Sequence, residues 1–298
     1  MGGSIPAASP PRIVPLYAHH ERRFEDYRYV YPVLSRRSGG LSIGVNLNPD
    51  KICNFDCVYC QVDRRIPGGT RFVGLPDLLR ELEGLLRLAV SGQIFSTSRF
   101  RDTPPPLRRV NDIAFSGDGE PTSLRNFGQV VEACAAVKRR LDLPDVKLVL
   151  ITNASLFQRP AVQQALEVLD RNQGEIWAKL DAGTDAYFRQ IDRTPMPLAR
   201  IVANITLVAR RRPVVIQSLF LRWQGEPPTA QELAAYCDRL CEIQAGGGQI
   251  KLVQVYTVAR RPAEDAVGAL RDDEVDAIRD LVQTRTGLRA HSFYGMGG

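Results

Sequence analysis

The sequence predicts an α/β protein: a partial (β/α)6 TIM-type barrel of parallel strands behind an irregular N-terminal extension. Three observations predict it. From residue 41 onward, stretches of strand periodicity alternate with stretches of helical periodicity. The links between them are mostly short, which favours a parallel sheet covered by helices. Six strand–helix units are legible, fewer than the eight of a closed barrel.

In order along the chain, residues 1–40 read as an irregular lead-in packed on the core. Within it Tyr27, Tyr29 and Tyr31 alternate among Arg22, Arg23, Arg28, Arg36 and Arg37. That pattern suits a short strand or a packed arm, with a nucleic-acid arm as the alternative. Strands are predicted over 41–47, 110–115, 147–152, 176–181, 214–221 and 250–256. Helices are predicted over 75–90, 127–141, 161–169, 198–211, 230–243 and 272–284. Residues 41–260 then form the core, and 261–298 add a helix and tail that complete the domain. The connection from Ser91 to Arg109, which includes Pro104, Pro105 and Pro106, is long enough to be a lid or an insert. In parallel sheets of this kind function collects at the carboxyl ends of the strands.

The 298 residues carry a formal net charge of +6, which fits an anionic substrate or RNA and equally an ordinary solvated surface. No apolar run reaches membrane-spanning length, and Met1 to Pro11 lacks the form of a secretory signal. A cytoplasmic protein is expected. Six cysteines are too sparse for a disulfide scaffold, but three lie within eight residues: Cys53, Cys57 and Cys60. They follow the first predicted core strand directly. Three thiolates on one short loop can converge on one face of a metal centre. A four-iron cubane is fully ligated by four cysteines, so three leave one iron open to a small molecule. Zinc is the alternative, since Cys57 and Cys60 have zinc-like spacing and His291 could be a distant ligand. Cys237 and Cys241 read as residues of a helix face, and Cys134 as a buried small hydrophobe.

The string Cys53-Asn54-Phe55-Asp56-Cys57-Val58-Tyr59-Cys60, placed after the first strand of a barrel, resembles the signature of the radical S-adenosylmethionine (SAM) superfamily. Tyr59, the aromatic before the last cysteine, matches too. The resemblance implies a [4Fe-4S] cluster on Cys53, Cys57 and Cys60. It implies SAM chelated to the open iron, reductive cleavage to a 5′-deoxyadenosyl radical, and hydrogen abstraction from a substrate. It also implies an external electron donor such as flavodoxin or ferredoxin.

Three further strand ends carry candidates. Ser116 to Thr122 form a glycine-bearing turn whose backbone can approach a ligand. It resembles the family's GGE motif, which implies Gly117, Asp118, Gly119 and Glu120 as ligands of the SAM amino group. Asp118 departs from the pattern. Thr152-Asn153-Ala154 resembles the family's TNG turn, with alanine for glycine; Asn153 either caps a turn or bonds the SAM ribose. In the fourth core strand Trp177, Lys179 and Asp181 share one face. A lysine inside a parallel strand needs a partner, so Lys179 is expected to point inward, toward the SAM carboxylate or an anionic part of the substrate. Asp181 matches a polar position of the family. Gln217, Gln254 and Tyr256 are weaker candidates.

Leu180 to Arg193 and the Asp118-Gly119-Glu120-Pro121-Thr122 string resemble the tRNA wyosine-synthase-like branch. This chain lacks the branch's second-cluster cysteines, since no cysteine precedes Cys53. The expected function is therefore radical SAM chemistry with an RNA nucleoside as the favoured substrate class. The alternatives are an activating enzyme that places a radical on a partner protein, and a non-enzymatic metal-binding module.

Overall fold

Strand β1 (Val30–Ser35) and strand β2 (Gly40–Val45) form an antiparallel hairpin at one edge of the sheet, which continues in parallel through β3 (Val110–Phe115), β4 (Lys147–Thr152), β5 (Gly174–Lys179), β6 (Val214–Leu219), β8 (Ile250–Tyr256) and β10 (Ala290–Phe293). A two-stranded ribbon, β7 (Arg222–Trp223) with β9 (Val267–Gly268), stands apart from it. The structure is a computed structural model and describes residues 24–70, 72–260, 262 and 264–295. The eight-stranded sheet is curled into an open half-barrel, so the predicted α/β partial barrel is the fold observed.

Helices α1 (Leu75–Val90), α2 (Phe127–Arg140), α3 (Pro160–Asp170), α4 (Asp185–Ile191), α5 (Leu198–Ala209), α6 (Ala230–Ala245) and α7 (Asp272–Thr286) occupy the crossovers. Their sequences show why. In α1 a proline sits in the first turn, and Leu78, Leu82, Leu85, Leu86 and Ala89 make one buried stripe at helical spacing. Thr184 and Thr229 cap α4 and α6 by accepting the amide hydrogens of Tyr187 and Glu232.

Period two divides the sheet's side chains between its faces. Ile43, Val45, Ile113, Phe115, Leu148, Leu150, Ile176, Val214, Ile216, Val253 and Val255 join the main core beneath the helices. Ala114, Val149, Trp177 and Val215 form a separate, smaller cluster on the concave face, with Ile151 and Leu252 against it. One step further along, the concave face turns polar: Lys179 lies level with Gln217, Gln217 with Gln254, and Gln254 with His291.

In the N-terminal extension the structure takes the short strand, one of the two forms that the tyrosine alternation suits, over Val30–Ser35. Residues 1–23, including Arg22 and Arg23, lie outside the described residues. Beyond them the chain is a strand, because its alternation puts Tyr31 across from Gly44, where a Cβ would strike the tyrosine ring at 2.3 Å. Glu81 on α1 accepts the amide hydrogens of Arg28, Tyr29 and Val30 and fixes the entry to that strand. The 91–109 connection is no open insert. It holds two 3-10 turns, the first of which buries Ile94 and Phe95, and Phe100 is buried as well. Strand β10 and helix α4 also add to the predicted list.

Candidate active site

The cysteine loop leaves the carboxyl end of β2 and is pinned on both sides. Asn46 donates through Nδ2 to Asp118 at 2.6 Å, while its Oδ1 accepts from the amides of Asn48 and Asp118. On the far side Val58 N–H donates to Ile191 O at 2.9 Å and Asp56 N–H to Asp192 O at 3.3 Å, at the end of α4. The three thiols are half-buried and line one cavity of about 310 Å³.

Two features of this wall fit an iron–sulfur cluster. Burial pushes the thiols of Cys53 and Cys57 above the ordinary cysteine value, with neighbouring Asp192 adding to the effect at Cys57. A thiolate there needs a cation to hold it, as metal ligation does. Arg64 supplies part of that charge: Nη1 donates to Cys60 Sγ at 3.0 Å, Nε to Lys51 O and Nη2 to Asp118 O. No three His, Cys, Asp or Glu side chains among the described residues are placed to hold a single metal ion. Cys134 and Cys237 are buried in the main core, and Cys241 lies beside Arg285 O. His291, the distant zinc candidate, is not among the cavity-lining residues and accepts from Arg289.

The glycine turn after β3 is built against the cysteine loop. A Cβ on Gly117 would meet Asn46 Oδ1 at 2.2 Å, and one on Gly119 would meet Ile52 O at 2.1 Å. These glycines are thus required by packing, a reason the sequence did not reveal. Asp118 is occupied by Asn46. Glu120 is buried and almost spent within the protein. Its Oε1 accepts from Thr122 N–H, Thr122 Oγ1 and Thr152 Oγ1, and its Oε2 from Asn153 N–H at 2.8 Å. One acceptor position on Oε2 remains for a ligand. Burial raises the Glu120 pKa, and the Thr122, Thr152 and Asn153 hydrogen bonds oppose that rise.

Asn153 ties the third parallel strand's end to the cysteine loop, donating to Asn54 Oδ1 at 2.9 Å while accepting from Ser155. Ala154, where the family motif carries glycine, has φ +60°, and Asn204 holds the turn by donating to Ala154 O and Ser155 O.

Asp181, Lys179 and Tyr59 meet in a buried network that includes two residues of unexpected weight. Tyr59 OH lies against Asp181 Oδ2, and against Asp192 Oδ1 at 3.1 Å. Asp192 also accepts from Cys57 Sγ at 3.4 Å. Asp181 accepts Leu219 N–H at 2.8 Å and pairs with Lys179 Nζ at 3.2 Å. Lys179 donates to Tyr256 OH at 2.8 Å. Burial works against the charge on Lys179, but Asp181 and Tyr256 outweigh it and hold its pKa above the usual lysine value. Asp192 is disfavoured as an anion: burial, then the charge of Asp181, raise its carboxyl well above the carboxylate range.

Sequence reasoning missed Arg37, Arg64 and Asp192. Only Arg64 carried a local signal, as a cation four residues past Cys60. Gln217 lines the cavity and donates to Gln254 at 3.2 Å, while Tyr256 joins the lysine.

No protein-family model matches the chain. Over 140 residues it is 29% identical to a UPF0026 protein of Helicobacter pylori, covering 47% of this chain and 39% of that protein. Over 165 residues it is 30% identical to a UPF0026 protein of Methanocaldococcus jannaschii, covering 54% and 43%. Over 263 residues it is 26% identical to a protein of Brachyspira hyodysenteriae named GTPase Obg, covering 86% and 34%. The chain thus spans less than half the length of each of these relatives. Among solved structures, TYW1 with a lysine-pyruvate adduct bound superposes with TM-score 0.51 at 13% identity, over 82% of this chain and 73% of that one. The likeness to TYW1 is one of fold. The half-barrel, with the cysteine loop at the end of its first parallel strand, agrees with the fold that the resemblance to the radical SAM superfamily implies.

Proposed function

We propose that the protein is a radical SAM enzyme in which Cys53, Cys57 and Cys60 hold a [4Fe-4S] cluster and SAM binds along the ends of β3, β4 and β5. The observation that carries this reading is the meeting of three half-buried thiols with the Gly117–Glu120 turn, Asn153 and Lys179 on one cavity. When bound, cluster and SAM supply a 5′-deoxyadenosyl radical that abstracts hydrogen from the substrate. The chain's own residues place and isolate that chemistry. Arg64 offsets negative charge at Cys60. The Oε2 of Glu120 and the carbonyls of its turn face an ammonium group, Asn153 faces the ribose, and Tyr59 walls the cavity with Asp181 buried behind it.

Lys179 acts in this reading as a fixed cation. TYW1 is described with a lysine-pyruvate adduct, and a lysine that forms such an adduct must first offer a neutral amine. Lys179 is paired with Asp181 and held protonated, so its surroundings favour an electrostatic contact. The proposed substrate class is an RNA nucleoside, supported by the basic balance and the branch resemblance. An external one-electron donor such as flavodoxin or ferredoxin completes the system in the cytoplasm. Among the described residues no helix is long and apolar enough to cross a membrane.

Anaerobic reconstitution followed by reduction with SAM present tests the proposal. About four irons per chain and formation of 5′-deoxyadenosine are expected. Stoichiometric zinc in place of iron, or iron-loaded protein that leaves SAM intact under reduction, would refute it.

A further inference from the structure

Part of the cavity wall is made by the N-terminal hairpin. Arg36 and Arg37, in its turn, reach the other side of the half-barrel: Arg36 Nη1 donates to Tyr294 O, beyond β10. The Arg37 guanidinium lies 4.9 Å from the Tyr256 ring centroid and 5.6 Å from that of Trp177. Contacts of this kind are made to the ring faces and consume none of the guanidinium's N–H donors as hydrogen bonds. Arg37 has no hydrogen-bond or carboxylate partner among the described residues. No described residue therefore neutralises its charge, in a cavity where Lys179 already has Asp181.

Lys179 approaches the same ring. Its Nζ is 5.4 Å from the Tyr256 centroid and retains one proton after bonding Tyr256 and Asp181. Its side chain keeps 19% of its surface accessible. Two cations thus converge on one aromatic ring, one a preorganised planar fork and the other a point charge with a spare donor. Planar forks match oxyanions two bonds at a time.

We propose that Arg37, supported by Lys179, forms an oxyanion receptor in the cavity, so that the substrate carries a carboxylate or phosphate group held against Tyr256. This rests on the proposed function for the identity of the reaction, but the receptor is a property of the folded chain. It also gives the hairpin a role: it carries the binding residue across the open side of the half-barrel.

Equilibrium dialysis of the reconstituted full chain against labelled inorganic phosphate and labelled acetate, at physiological ionic strength, tests it. Saturable binding of at least one probe is expected, and the tighter probe tells phosphoryl from carboxylate. Arg37→Gln should weaken it at least tenfold and Lys179→Met at least threefold. Arg37→Lys, which keeps the charge without the fork, should lose most of the affinity. Arg211→Gln, at an exposed arginine outside the cavity, should change nothing. Saturating SAM should leave anion affinity unaltered. Equal affinity in the parent and both Arg37 variants, absence of saturable binding, or one-for-one displacement of the anion by SAM would overturn the inference. Iron content and deoxyadenosine in the same preparations separate the two readings. Loaded, SAM-cleaving protein without an Arg37-dependent site refutes the receptor alone, and Arg37-dependent binding in protein that neither holds iron nor cleaves SAM refutes the radical reading alone.

Discussion

Glu120 and Arg37 line the same cavity and differ in how the protein uses them. Glu120 accepts four hydrogen bonds from Thr122, Thr152 and Asn153. Arg37 lies against two rings and donates to no protein acceptor among the described residues. The first is a keystone between the ends of β3 and β4; the second is an unfilled grip. Glu120, nearly saturated by the protein, is held there mainly by stability and keeps one acceptor position for a ligand. A polar group that the protein leaves with spare donors, in a cavity, is held there by a ligand. Both are charged residues in candidate positions, and only their partners tell them apart.

The cysteine wall gives the largest effects. Cys57→Ala should abolish iron retention after reconstitution, while the triple change of Cys134, Cys237 and Cys241 to alanine should keep about four irons per chain, the content of one cubane. Iron analysis decides it, and iron loss in the triple variant would move cluster ligation off the loop. Glu120→Gln comes next. The amide can satisfy the donors at one oxygen only by turning its NH2 toward those at the other, so buried donors are left facing donors. A loss of about 3 kcal/mol in urea unfolding is expected. A cost below about 1 kcal/mol would make Glu120 a ligand residue first and a keystone second.

A buried acid with fewer donors sharpens the contrast. Asp112, at the amino end of β3, is 3% exposed and accepts from Ser42 Oγ. Burial pushes its carboxyl up to about 6, against the hydrogen bond from Ser42. The folded value lies above the unfolded one, so folding takes up a proton in the window between them. The stability contribution is complete below about pH 4 and is lost as pH rises through about 6, with a total of about 3 kcal/mol. Urea midpoints measured from pH 4 to pH 8 should fall for the parent and fall less for Asp112→Asn. Parallel curves would place the proton elsewhere.

The sequence was most legible where partners are close along the chain. Every predicted helix was found within two residues of its observed ends, because a buried stripe such as Leu78–Leu82–Leu85 is written locally. The cysteine loop was legible for the same reason. Helix α4 was not, since it buries only Phe188 and Ile191 and shows no repeating stripe. Strand β10 carries His291 and Ser292, half-buried at the sheet's edge, and so lacks an apolar signal. The site residues missed have distant partners: Asp192 meets Cys57 across 135 positions, and Arg37 meets rings supplied by β5 and β8. The pairing of Lys179 with Asp181 was visible as a period of two, but the tyrosines on either side of it were not.

The smallest stability effects belong to the cation wall, and their order tests the contrast from its other end. Lys179→Met removes the partner of a buried carboxylate. Asp181 keeps the Leu219 amide and the Tyr59 hydroxyl, so the loss should stop at about 2 kcal/mol, short of the 3–5 kcal/mol typical when a fully buried pair is broken. Arg37→Gln breaks no ion pair and leaves no carboxylate unmatched. It forfeits two ring contacts worth about 0.5–1 kcal/mol each at most, and relieves an unneutralised charge inside a cavity. Its unfolding free energy should therefore lie within about 1 kcal/mol of the parent, and a slight gain would fit. The comparison is made by urea unfolding of Glu120→Gln, Lys179→Met and Arg37→Gln in one buffer without phosphate or carboxylate. If Arg37→Gln is the costliest of the three, the guanidinium is a structural strut across the open side of the half-barrel, and the distinction between saturated and unfilled polar groups fails at the residue where it was drawn most sharply.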